Sequence, residues 1–193
     1  MSEPQPPDAV KLLVSLFSGN GRLLDDVVRI LSERHGRADF ISAPAHFAYT
    51  DYYTKEFGGG LIRRFVAFER LIRPESLPDV KVWTNALEKR LSAEGLRRVN
   101  IDPGYLSLAH LILATGKGYA HRPYLRDGIY ADLTLIYREK SFHALPWTYP
   151  DYAGPEAIGM LTRIREKYRM QLKGSKPGEA SCDNGEYFDE EFR

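Results

Sequence analysis

The chain has 193 residues, 43% of them hydrophobic and 27% charged, enough for one substantial core and too little for two. No apolar run reaches the roughly 18–20 residues of a membrane span, and the acidic, proline-rich start MSEPQPPDAVK lacks the basic and apolar regions of a secretory signal, so a cytoplasmic protein is expected. The single cysteine, Cys182, excludes an intrachain disulfide and a cysteine-based zinc site within one chain.

The formal net charge of +1 is unevenly placed. Residues 174–193 carry Lys176 and Arg193 against six acids, a net −4, which leaves +5 on the rest. A mildly basic body suits an anionic ligand and falls short of a nucleic-acid footprint.

In chain order, residues 1–9 read as a flexible lead-in. KLLVSLFS (11–18) is a short apolar run that suits a buried strand. LLDDVVRILSERHG (23–36) spaces its apolar residues as a helix that Gly36 closes. ADFISAPAHFAYTDYY (38–53) alternates weakly around Pro44, as an interrupted or edge strand does. KEFGGG reads as a mobile connection or a lid. LIRRFVAFERLI (61–72) has strand composition. The span 74–95 holds a helix in its second half, closed by Gly95 and capped by Thr84 or Asn85, and 97–102 is another strand.

This β-α-β-β-α-β order is that of a ferredoxin-like split βαβ unit. Asp102 and Pro103 then read as the cap and first residue of a helix through 103–115, apolar almost all round and therefore buried. GIYADLTLIYREKSFHALPW (128–147) is a β-hairpin turning near 138–140. LPWTYPDY (145–152) crosses the surface in extended form, with Trp147 and Tyr149 packed down. Residues 154–173 form a closing helix that Pro155 starts. The expectation is an α+β protein with one globular domain over 10–173. Its ferredoxin-like βαββαβ core is extended by a buried helix, a β-hairpin and a C-terminal helix. A disordered acidic tail follows over 174–193.

Chemistry-bearing residues concentrate after the predicted buried helix. Lys117 and Arg122 bind phosphate or carboxylate, and His121 moves a proton near neutral pH. Asp102 would orient His121 or contact a ligand hydroxyl; Tyr105 or Tyr124 would stack on the ligand. Asp51 is a further binding candidate beside the glycine run. So is Asn85, which shares a helix face with Lys81 and Glu88. The five histidines show no H-x-x-x-H or H-x-H spacing, so no metal ligand set is read. No G-x-S-x-G marks a nucleophile.

Tyr49–Tyr53 (YTDYY), KVWTNALE (81–88), VNIDPGYLSLAHLILAT (99–115), GYAHRPYL (118–125), GIYADLTL (128–135) and LPWTYPDY (145–152) carry a resemblance. The chain resembles a bacterial family, domain of unknown function 4416, from about Lys11 to Lys173. The resemblance implies no activity. Some members carry a "GTP-binding protein" label, which would need a G-x-x-x-x-G-K-[ST] loop that this chain lacks. The function expected is binding, with or without turnover, of a small anionic or phosphorylated metabolite or nucleotide in a mildly basic pocket. The competing expectation is a non-catalytic protein-interaction module that uses 145–152 or a sheet edge. No cofactor follows from the sequence, nucleic acid and membrane are not expected as partners, and enzyme status stays open.

Overall fold

Strand β1 (Val10–Ser18) is buried along all nine of its residues and forms the middle of the sheet. The structure is a computed structural model describing residues 3–46, 57 and 60–174. Helix α1 (Gly21–His35) follows, opened by the Asn20 side chain, which accepts from the Arg22 and Leu23 amides at 3.0 and 3.2 Å. Gly36 closes α1 at a φ of +90°, a conformation that glycine adopts without steric cost.

The chain continues through β2 (Ala38–Ile41), β3 (Ala45–His46), β4 (Ile62–Ile72) and α2 (Leu77–Arg90) to β5 (Asn100–Leu106). Then come β6 (His110–Thr115), β7 (Tyr124–Arg126), β8 (Ile129–Arg138), β9 (Ser141–Ala144), the short α3 (Pro150–Ala153) and α4 (Pro155–Gly174). The described strands form one sheet in the order β2-β4-β1-β5-β6-β8-β7, with β3 also on β4 and β9 also on β8. Every pairing is antiparallel. The protein is therefore α+β.

Alternation along β1 divides the core into two layers. Leu12, Val14 and Leu16 face α1 and α2 together with Val66, Phe68 and Ile101. Leu13 faces the other way, with Phe65, Ala67, Leu111 and Leu135, against Leu161, Ile164 and Tyr168 of α4. Burying each large side chain contributes about 1.5–3 kcal/mol. Among the described residues no helix is long and apolar enough to cross a membrane.

The largest departure from expectation lies at 102–115. No buried helix forms there: Asp102, Pro103 and Gly104 continue β5, and 110–115 is β6. An unbroken apolar run serves a strand covered on both faces as well as it serves a buried helix, and this sheet has helices on both faces. Ser107 makes the turn between them, its Oγ accepting from the amides of Ala109 and His110. Helix α2 starts at Leu77, so Thr84 and Asn85 sit inside it and cap nothing; the Thr84 hydroxyl donates back to the Lys81 carbonyl at 3.0 Å. The run 145–152 is not extended throughout, because α3 begins at Pro150. Trp147 and Tyr149 stay 38% and 54% exposed, and Tyr152 is the ring that packs down. Part of the 38–53 segment, most of KEFGGG, Asp51 and residues 175–193 lie outside the described residues.

Candidate functional site

A fork in the sheet creates the site. β5 pairs with β6 only from Gly104 to Leu106, against Leu113 to Leu111. From Pro103 back to Asn100, β5 keeps β1 as its neighbour and β6 diverges. Proline has no N–H to give a ladder. Backbone groups alternate sides along a strand, so Pro103 presents its missing donor to the same side as Ile101, into the fork. Gly104 sits at the crotch. A Cβ there would stand 2.4 Å from the Ile112 carbonyl oxygen and 2.7 Å from Leu113 Cδ2, so only glycine permits this approach.

The orphaned edge of β5 is satisfied by α2. The Ile101 amide donates to Glu88 Oε1 at 2.5 Å, and Lys81 Nζ donates to the Ile101 carbonyl at 3.0 Å. Residues 81 and 88 are two helical turns apart and therefore share a face. Two charged side chains thus stand in for a missing strand. Lys81 also reaches Asp102 Oδ1 at 3.1 Å, and Asn100 Nδ2 donates to Asp102 Oδ2 at 2.6 Å.

On the α4 side of the sheet, α4 leaves the forked end uncovered. There a cavity of about 780 Å³ opens among β1, β4, β5, β6, α2 and the segment leading into α3. Five cationic and four carboxylate side chains line it. Eight of them form four ion pairs: Arg63 with Asp151, Lys81 with Asp102, Arg97 with Glu88, and Arg122 with Asp132. Arg63 is buried, donates to Ser15 Oγ at 2.9 Å, and lies 4.4 and 4.5 Å over the rings of Phe65 and Tyr152. Burial pushes the Tyr152 hydroxyl up to about 12, against the pull of Arg63. Burial also pushes the Glu88 carboxyl above its usual range, although Lys81 and the Ile101 amide oppose it.

Asp102 differs from its neighbours in access. Its side chain is 37% exposed, whereas Glu88, Asp132 and Asp151 are at 8–10%. With each oxygen already holding one donor, it keeps lone pairs for a ligand donor.

Arg122 lines the cavity from the loop after β6. Its Nε donates to Asp132 Oδ2 at 2.8 Å, one Nη to the Lys117 carbonyl at 3.1 Å and the other to the Tyr149 hydroxyl at 3.4 Å. Burial opposes its charge, but Tyr149 and Asp132 outweigh it, so its pKa lies above the ordinary arginine value. Behind it His121 stacks on Trp147, centroids 4.8 Å apart and planes within 14°. His121 Nε2 lies 3.9 Å from Asp132 Oδ2 and is buried without a hydrogen-bond partner.

The residues expected from sequence divide accordingly. Asp102, Asn85, Lys117 and Arg122 meet in the one cavity. His121 lies beside that lining, and the carboxylate near it is Asp132; the hydrogen bonds of Asp102 go to Lys81 and Asn100. Tyr105 packs instead near Leu77, Ala114 and Ile129, where burial raises its pKa. Tyr124 is 59% exposed and meets Tyr130 edge-on. Asp51 is outside the described residues. Arg63, Asp132 and Asp151 were not legible as site residues, although Asp132 is the one acidic residue in the strand Ile129–Arg138. No group of three or more His, Cys, Asp or Glu side chains suited to a metal ion occurs among the described residues.

Fold and site together define an α+β protein with a charge-lined cavity at a split in its sheet. The family described as a domain of unknown function (DUF4416) matches residues 8–168, and the chain belongs to that family. No curated protein and no solved structure matches it.

Proposed function

We propose that the cavity binds a small anionic metabolite. Lys117 and Arg122 would hold the anion, and Asp102 would accept a hydrogen bond, or in a reaction a proton, from the same ligand. The observation that carries this reading is the meeting of Asp102, Asn85, Lys117 and Arg122, from β5, α2 and the loop after β6, on one concavity. Buried ion pairs add little net stability, and two of the four, Arg63–Asp151 and Arg122–Asp132, are buried on both sides, so the charged lining is poorly explained as a folding device. Asp102 is the proton acceptor in this reading because Lys81 and Asn100 fix it and it alone of the cavity's acids is substantially open. The sheet order β2-β4-β1-β5, with α1 and α2 each joining strands separated by one other, supports a ferredoxin-like reading of the first half.

Thermal denaturation with methyl phosphate tests the site. At a hundred times its dissociation constant, a ligand of the folded state adds about 2.7 kcal/mol, a rise of about 5–10 °C for a chain of this size. Arg122→Ala and Lys117→Ala should each shrink that rise. If both leave it whole, the assignment is wrong.

A further inference from the structure

Next to the cavity, joined to it through Tyr149 and Arg122, lies a cluster of aromatic side chains that folding leaves open. Tyr119 is 71% exposed, Tyr149 54% and Trp147 38%. Solitary exposed aromatics are ordinary; these are joined. His121 stacks on Trp147 and lies 5.5 Å from Tyr119. The Arg122 guanidinium lies 5.6 Å from the Tyr119 ring centre, and its far end reaches the Tyr149 hydroxyl. Trp147 is fixed by donating its indole N–H to the Leu133 carbonyl at 2.8 Å. Tyr149 and Arg122 also line the cavity, so rings and cavity are continuous.

We infer that this cluster of side chains is a stacking subsite for the planar ring of a ligand whose anionic group enters the cavity. The inference rests on the anion reading above and narrows it to aromatic or heteroaromatic anions. Exposed rings beside a planar guanidinium that lies over one of them, Tyr119, suit a flat ring better than an alkyl chain, which gains only buried area from the same contact. Pinning Trp147 and capping Tyr119 with Arg122 lowers the ordering cost of such a contact.

The test compares phenyl phosphate with methyl phosphate on the full chain, by calorimetry and by indole fluorescence in a Trp83→Phe background. The chain has two tryptophans, so Trp147 is then the only reporter. Phenyl phosphate should bind roughly three- to tenfold tighter, the range of one aromatic contact, and should change Trp147 emission where methyl phosphate does not. Tyr119→Ser, at a position exposed enough to leave the fold intact, should bring the affinity ratio towards one. Equal affinities in the unaltered chain would overturn the stacking subsite and leave the anion site standing. A ratio unmoved by Tyr119→Ser would overturn the placement of the subsite on these rings. Binding of neither phosphate would overturn both readings.

Discussion

Glu88 offers a test of how the fork in the sheet is held open. Its Oε1 is the acceptor for the buried Ile101 amide, a role that a strand carbonyl would otherwise fill. Glu88→Leu would leave that amide without a partner at a residue with no solvent exposure. An orphaned buried donor costs about 1–3 kcal/mol. Removing a carboxylate that burial disfavours returns part of this, and leaving Lys81 and Arg97 without its charge offsets that return, so the expected net loss is about 2 kcal/mol. Glu88→Gln keeps a carbonyl oxygen at the same place and should cost under about 1 kcal/mol. The Glu88 pKa is raised in the fold, chiefly by burial. The stability linked to that shift is therefore full below the unfolded carboxyl value and lost as pH rises through the folded one. Gln does not titrate, so Glu88→Gln should gain on the natural protein as pH rises above about 4.5. Urea unfolding at pH 4 and pH 7 reads all of this, since 2 kcal/mol moves the midpoint by about 1 M at a typical slope. Amide exchange at Ile101 should quicken in Glu88→Leu alone. A Glu88→Leu protein with an unchanged midpoint would refute the strand-replacement argument.

Two further outcomes follow from single positions. His35 lies between Phe68 and Trp83 with its Nε2 buried and unpartnered, and burial, then Arg34 and Arg70, lower its pKa to about 4. Its stability contribution is present above the unfolded value near 6.5 and lost as pH falls towards 4, about 3 kcal/mol in all; acid titration of the melting temperature should show this loss and His35→Phe should flatten it. Gly104→Ala drives a Cβ into the Ile112 carbonyl, so it should destabilise by roughly 3 kcal/mol and weaken the response to methyl phosphate, and a variant with an unaltered melt would contradict the close approach.

Much of the fold was legible because local patterns and tertiary environment agreed. The nine buried residues of β1, the spacing and Gly36 stop of α1, the hairpin of β8 and β9 and the Pro155 start of α4 all follow from periodicity and turn chemistry. The segment 102–115 failed because Asp-Pro-Gly has two physical uses. It caps a helix, and it also unzips a strand pair, through a missing N–H at Pro103 and a missing Cβ at Gly104. Which use applies depends on whether β1 waits alongside, and that is not local information. The site was half legible for the same reason. Lys117 and Arg122 announce themselves in a polar loop. Arg63 and Asp132 sit in strands, where only the end of α4 decides that the sheet face beside them is open.

That end of α4 connects architecture to chemistry. A sheet face left bare at one end would ordinarily be closed with more apolar side chains, which are as stabilising as buried ion pairs or more so. Here the uncovered end instead carries Arg63, Asp102 and Asp132, on three different strands and all on the α4 side. Each has a partner from elsewhere in the chain: Asp151, Lys81 and Arg122. Partners drawn from outside the sheet hold the charges in place before any ligand arrives. In the proposed reading, an entering anion would meet donors already oriented, with the ordering cost met in folding. The fork makes this possible, because it lets α2 reach from the opposite side of the sheet and put Lys81 against Asp102. Without the split at Pro103, a continuous β5–β6 ladder would stand between them.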